Sequence, residues 1–199
     1  MRDFAQLRWC PSGPRPHVFA LPGPALHAAC EQVLAQLPAW HPDWATILRP
    51  VPAMIRHLTV AWADVPTSTA PAHSWAAAVD ALTRSASRHS PLRLTCTTAT
   101  DTPGGIILVM HPTPAWNDLA ESAGAALAQV FDPAAVRIDT APHLAVAYGC
   151  RNTDTPPFTL NLSTAPNLDI DTLSLVDHDS FDDPGWNPHT HTQIHLADT

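Results

Sequence analysis

Two stretches of this sequence set an imidazole at the head of an apolar strand: Arg56-His57-Leu58-Thr59-Val60-Ala61-Trp62 and Pro142-His143-Leu144-Ala145-Val146-Ala147-Tyr148. In a strand, alternate side chains face opposite ways. His57, Thr59 and Ala61 then share one face, and Leu58, Val60 and Trp62 the other. In the second stretch His143 takes the place of His57, and Leu144, Val146 and Tyr148 repeat the apolar face. Two histidines with ordinary pKa values near 6.5 can hold opposite protonation states at neutral pH. A neutral imidazole takes a proton from an attacking hydroxyl or water, while an imidazolium opposite protonates the leaving oxygen. Each contribution is typically worth ~10²–10⁴ in rate. In-line phosphoryl transfer wants this pair, because its attacking and leaving oxygens lie on opposite sides of phosphorus. Thr59 supplies a hydroxyl for a non-bridging oxygen. A lone His-x-Thr is more often a surface or satisfied core histidine; the repetition carries the reading.

The elements that must hold these strands are legible from periodicity. His17–Leu21 reads as a first strand, and apolar positions Leu26, Ala29, Cys30, Val33, Leu34 and Leu37 recur at helical spacing, with Pro38 as the stop. Trp40–Pro52 reads as a loop leading to the His57 strand. Ser74–Ser87 is predicted helical, with Ser74 as its cap and Trp75, Val79 and Leu82 as its buried line. Leu92–Thr97 and Gly105–Met110 form a predicted hairpin about Asp101-Thr102-Pro103-Gly104. A further helix spans Trp116–Val130, the His143 strand follows, and Leu168–Val176 alternates as the last strand. Residues 178–199 are expected to form a polar, His-rich tail. The class implied is α+β: one domain over residues 1–199, made of two similar α+β halves whose antiparallel sheets face a central cleft.

Composition narrows the function. At 199 residues with 45% hydrophobic and 14% charged residues the chain is globular. Its formal net charge is −8 and no basic stripe is visible. Long nucleic acid is therefore disfavoured, because phosphate neutralisation by Lys and Arg supplies that affinity. Cys10, Cys30, Cys96 and Cys150 are widely spaced and are expected to be free, mostly buried thiols. No charged-then-apolar leader precedes the first element, and the run Ile106–Met110 is too short to cross a bilayer. A cytoplasmic monomer that uses no membrane is expected.

The paired motifs, together with the helix from Ala25, the Gly104-Gly105 hairpin, the helix before Phe131 and the strand Leu173–Asp177, resemble the two-histidine (2H) phosphoesterase superfamily. The closest likeness is to its 2′-5′ RNA ligase-like, cyclic phosphodiesterase branch, over roughly residues 15–180. That resemblance implies a bilobed fold and metal-independent chemistry without a cofactor. The 2′,3′-cyclic phosphates of nucleotides or short RNA ends would be opened by water, or by a 5′-hydroxyl in the ligase sense. By position it implies His57 and His143 as the acid/base pair and Thr59 as the phosphate ligand. Ala145 departs from the family's threonine or serine, and a methyl donates no hydrogen bond. That departure favours a slower enzyme, or, as the rival reading, a non-catalytic protein that binds a nucleotide or RNA end.

Other residues are weaker candidates. Tyr148, Arg56 and Arg151 are candidate substrate contacts, although alternation places Tyr148 with the core and arginines are commonly solvated. Arg93 carries the same ambiguity. Trp44 and Trp62 are stacking candidates, but alternation turns Trp62 away from His57. His189, His191 and His195 share parity in the tail without a convincing carboxylate or cysteine, so no metal site is assigned.

Overall fold

The computed structural model describes residues 1–4, 13–162, 164–178 and 191–197. The first half supplies β1 (Arg15–Ala20), α1 (Pro24–Trp40), α2 (Trp44–Ile47), β2 (Leu48–Pro50), β3 (Leu58–Ala63) and α3 (Ser74–Ala86). The second supplies β4 (Leu92–Thr102), β5 (Gly105–Met110), α4 (Pro114–Leu127), β6 (Val136–Ile138) and β7 (His143–Gly149). β8 (Thr159–Asn161), β9 (Asn167–Ile170), β10 (Thr172–His178) and β11 (Thr192–His195) follow. The class is α+β, and the strand pairings are antiparallel.

The helices form where apolar spacing and end signals agree. α1 buries Leu26, Ala29, Cys30, Val33 and Leu37, with Pro24 at its start. Pro38 does not stop it, contrary to expectation. It lies in the last turn, where little ladder remains to break, and the His41 N–H closes the end on the Leu37 carbonyl at 2.9 Å. Thr113 caps α4 by accepting the Trp116 N–H at 3.1 Å. Ser74 is not a cap: His73 stands at that position, and Ser74 is buried in the first turn of α3. The buried line of α3 is shifted toward Ala78, Ala81, Leu82, Ser85 and Ala86, leaving Trp75 and Val79 half-buried.

The main sheet runs β11-β10-β1-β3-β7-β5-β4-β8, so the two histidine strands are its centre. They meet where Leu58 pairs with Leu144, each one residue after its histidine. An approximate two-fold axis passes between these leucines and relates β10-β1-β3 to β4-β5-β7. Beyond that pair the strands part, and each takes a short partner from the other half: β6 joins β3 and β2 joins β7. β2 lies in what reads from sequence as a loop. The predicted last strand is really two: it breaks at Asp171, so β9 pairs with β4 and β10 with β1. His178 ends β10 rather than opening a tail, and β11 adds to the sheet edge.

Both central strands carry the same irregularity. Phe19 pairs with Thr59 and Val18 with Ala61, so Val60 is an extra residue in β3. Ile107 pairs with Ala145 and Ile106 with Ala147, so Val146 is extra in β7. Each bulge lies three residues after its histidine and reverses alternation beyond it. Trp62 and Tyr148 therefore leave the apolar face predicted for them and turn to the histidine face. The bulged carbonyls are satisfied symmetrically: the Asp139 N–H donates to Val60 and the Val51 N–H to Val146, both at 2.9 Å.

Among the described residues no helix is long and apolar enough to cross a membrane. Cys30 and Cys96 are free and buried, and Cys150 is free but exposed; Cys10 lies outside the described residues. Burial pushes the Cys30 thiol up to about 12 and Cys96 up to about 11, which keeps both inert.

Candidate active site

His57 and His143 open onto one cleft of about 490 Å³, together with Thr59 and Ala145. The same local device aims both rings. His57 Nδ1 lies 2.7 Å from the Ile55 carbonyl, and His143 Nδ1 lies 3.0 Å from the Ala141 carbonyl, each two residues upstream. A carbonyl only accepts, so Nδ1 carries the proton and Nε2 is left for chemistry.

Their surroundings differ. Phe19 stacks on the His57 ring at 3.7 Å and 19°, and His178 meets it edge-on at 5.2 Å and 73°. Burial in this shell, with His178 second, pushes His57 down to about 3 despite the Ile55 carbonyl. His57 is therefore neutral at pH 7. His17, also cleft-lining, packs edge-on against His178 at 5.0 Å, and burial pushes it down to about 3 as well. On the other side His143 Nδ1 also reaches Asp139 Oδ2 at 3.3 Å. That carboxylate raises His143 above its ordinary value, against the opposing effect of burial. Asp139 is itself pinned: Oδ1 accepts the Ala141 N–H at 2.9 Å and its carbonyl accepts the Trp116 indole N–H at 3.0 Å.

Trp62 and Tyr148 line the cleft with their bulge-reversed faces. Trp62 lies parallel to His17 at 6.1 Å and 7°, and Tyr148 stacks on Phe4 at 4.3 Å and 26°. Gly105 pairs with Tyr148 at φ 156°, and a Cβ there would strike the Ala147 carbonyl, so only glycine lets β5 approach the bulge.

The arginine candidates stand elsewhere. Arg56 is buried, donates to Glu31 at 2.7 Å and to the Val51 carbonyl at 3.0 Å, and does not line the cleft. Its guanidinium is held in the protein rather than solvated. Arg151 is exposed and also outside the cleft lining, and exposed Arg93 pairs with Asp169. Trp44 packs against the core. His191 bonds Ser174 at 2.7 Å and His195 lies 3.3 Å from Thr172, so both are held along β10. Among the described residues no cluster of three or more His, Cys, Asp or Glu could hold a metal, and His189 lies outside them.

No family model and no curated protein matches this chain. Solved structures do. TT0787 of Thermus thermophilus superposes with a TM-score of 0.68 at 18% identity, covering 92% of this chain and 97% of that one. E. coli LigT in its apo form gives 0.59 at 18% identity, covering 94% and 100%, and LigT complexed with 3′-AMP gives 0.58 at 20% identity, covering 93% and 99%. The fold is that of LigT. The antiparallel α+β architecture expected from the motifs is thus the architecture observed. Within this LigT fold, sequence reasoning missed Asp139, Phe19, His17 and His178. Asp139 alone left a trace, a carboxylate four residues before a motif histidine; His17 and His178 reach the cleft, and Phe19 the His57 ring behind it, only through sheet pairing.

Proposed function

We propose that this protein is a two-histidine phosphodiesterase that opens the 2′,3′-cyclic phosphate of a nucleotide or short RNA end. The observation that carries the reading is the opposite tuning of two imidazoles on one cleft. Neutral His57 accepts the proton of the attacking hydroxyl or water through Nε2. Protonated His143, backed by Asp139, delivers a proton to the departing ribose oxygen. Thr59 donates its hydroxyl to a non-bridging oxygen, and Ala145 leaves the matching donor out. No metal or cofactor enters this step. The fold of LigT, a protein whose structures include complexes with 3′-AMP, phosphate and ATP, supports a nucleotide substrate. The net charge of −8 favours a short one, and the free buried thiols of Cys30 and Cys96 suit a cytoplasmic setting.

Turnover of 2′,3′-cyclic AMP in the presence of a chelator tests the proposal. His57→Ala and His143→Ala are each expected to lower kcat by ~10²–10⁴. Full activity in either variant would remove the assigned roles. Ala145 supports a second reading, in which the cleft binds a nucleotide end without turnover. Calorimetry that returns the cyclic phosphate bound but intact would select it.

A further inference from the structure

Residues 1–4 reach the cleft from outside the sheet, and the two-histidine chemistry gives them no part. The Arg2 N–H donates to the Pro103 carbonyl at 2.8 Å, and the Thr153 N–H to the Met1 carbonyl at 3.0 Å. The Asp3 N–H donates to Asn152 Oδ1 at 3.0 Å. Gly149, the last residue of β7, leaves a notch for the segment: a Cβ there would strike the Arg2 carbonyl. So fastened, the segment lays the Phe4 ring on Tyr148, and Phe4 lines the cleft beside Thr102, Pro103 and Gly104. A side chain brought to a cavity by hydrogen bonds and a glycine notch is part of its wall.

Strand register says which end of the cleft this wall closes. Leu58 pairs with Leu144 in antiparallel strands, so His57 stands level with Ala145 and His143 with Thr59. β7 therefore runs from His143 past the level of His57 to Tyr148, and β3 runs from His57 past the level of His143 to Trp62. The His57 end of the cleft holds Tyr148 and Phe4, and the His143 end holds Trp62, His17 and Asp139. The roles proposed for the histidines give each end its own traffic. The attacking oxygen enters on the side of His57, and the ribose oxygen leaves on the side of His143 with its sugar. In-line displacement keeps the two apart. Phe4 thus stands behind the attacking oxygen, where the remainder of an attacking molecule would lie.

We infer that Phe4 restricts the attacking group to water or a very small alcohol, as a steric stop that denies the His57 end to anything as large as a nucleoside. The inference rests on the phosphodiesterase reading and narrows it to hydrolysis. In the step, water gives a proton to His57 Nε2 as its oxygen bonds phosphorus. One ribose P–O bond of the cyclic phosphate breaks, and the freed oxygen takes the proton of His143. The product is a nucleoside monophosphate. An alcohol would follow the same course to a phosphodiester; a methyl group fits, whereas a nucleoside meets the Phe4 ring. Selectivity of this kind comes from a clash built against the larger reactant.

The test supplies 2′,3′-cyclic AMP together with methanol or dideoxycytidine, whose one hydroxyl is the 5′, and measures each ester formed against the monophosphate. The wild-type protein is expected to give the methyl ester and no detectable dideoxycytidine ester. Phe4→Ala is expected to raise the ratio of dideoxycytidine ester to methyl ester about tenfold or more, and Phe4→Tyr to leave it as it was. Gly149→Ala, which unseats Arg2, should act as Phe4→Ala does. An unchanged ratio in Phe4→Ala overturns the inference, whether or not Gly149→Ala folds. Calorimetry reads the stop apart from the chemistry. 3′-AMP fills one side of the phosphorus, and a 2′-deoxy dinucleoside monophosphate, which has no attacking hydroxyl, fills both. The ratio of their Kd values should move about tenfold or more toward the larger ligand in Phe4→Ala. That movement without turnover of 2′,3′-cyclic AMP would keep the stop and defeat the phosphodiesterase reading. Turnover with neither ratio moved would do the reverse.

Discussion

The two halves of the cleft are built on one frame and furnished differently. Val51 and Asp139 occupy equivalent places, since each donates its N–H to the carbonyl of a bulged valine. Phe19 and Ile107 are equivalent too, pairing with Thr59 and Ala145. In the first half the frame carries a phenylalanine and two more imidazoles around His57, whose burial keeps it uncharged, and a valine at the place of Asp139. In the second it carries a carboxylate beside His143, which invites it. Symmetry of backbone thus delivers two rings to one cleft, and asymmetry of side chains tells them apart. That is how environment separates an acid from a base when the residue type is the same.

Removing the carboxylate is the strongest way to break this contrast. Asp139→Asn keeps an acceptor for the Ala141 N–H but takes the charge from His143, whose pKa then falls. The alkaline limb of kcat/KM is expected to move to lower pH, with a rate loss at pH 8 of about tenfold or more, in line with the loss of a hydrogen bond to a charged group. An unmoved limb would mean that Asp139 does not separate the two histidines.

The contrast can also be reduced from the other direction. Ala145→Thr gives the second half the hydroxyl that Thr59 gives the first, and should raise kcat by roughly fivefold to tenfold. A flat response in steady-state assays would show that position 145 does not touch the phosphate.

The smallest effect is on stability. His17 and His57 sit at about 3 in the fold against 6.5 in the unfolded chain. As pH falls from 6.5 toward 3 the unfolded chain binds protons that the fold refuses, so their contribution is present at neutral pH and lost in acid. His143 has the opposite sign: its raised value adds stability below 6.5, which is lost as pH rises through the folded value. Two groups outweigh one, and the thermal midpoint should drop by several degrees between pH 7 and pH 5. His17→Phe should shrink that drop when followed by circular dichroism. A midpoint that rises on acidification would reverse the contrast.

Much of this was legible in the chain. Helical spacing located α1, α3 and α4, and the repeated histidine strands located the centre of the sheet and the cleft that opens on it. Local rules failed where pairing overrides them. Nothing in Val60 or Val146 marks an extra residue, so plain alternation puts Trp62 and Tyr148 on the wrong face. Arg56 carries no sign that Glu31, a helix away, will bury it. The break at Asp171 is decided by two different neighbours, β4 and β1, competing for consecutive residues. His17 and His178 reach the cleft, and Phe19 the His57 ring, from β1 and β10, which touch β3 or each other only after the sheet has assembled.

The matched bulges also dock each histidine strand to the other half of the molecule. Deleting Val60 or Val146 would restore plain alternation and leave Trp62 and Tyr148 facing the cleft. What it would remove is the carbonyl that receives the Asp139 or Val51 N–H, so the extra residue in each strand is a point of attachment for the opposite half.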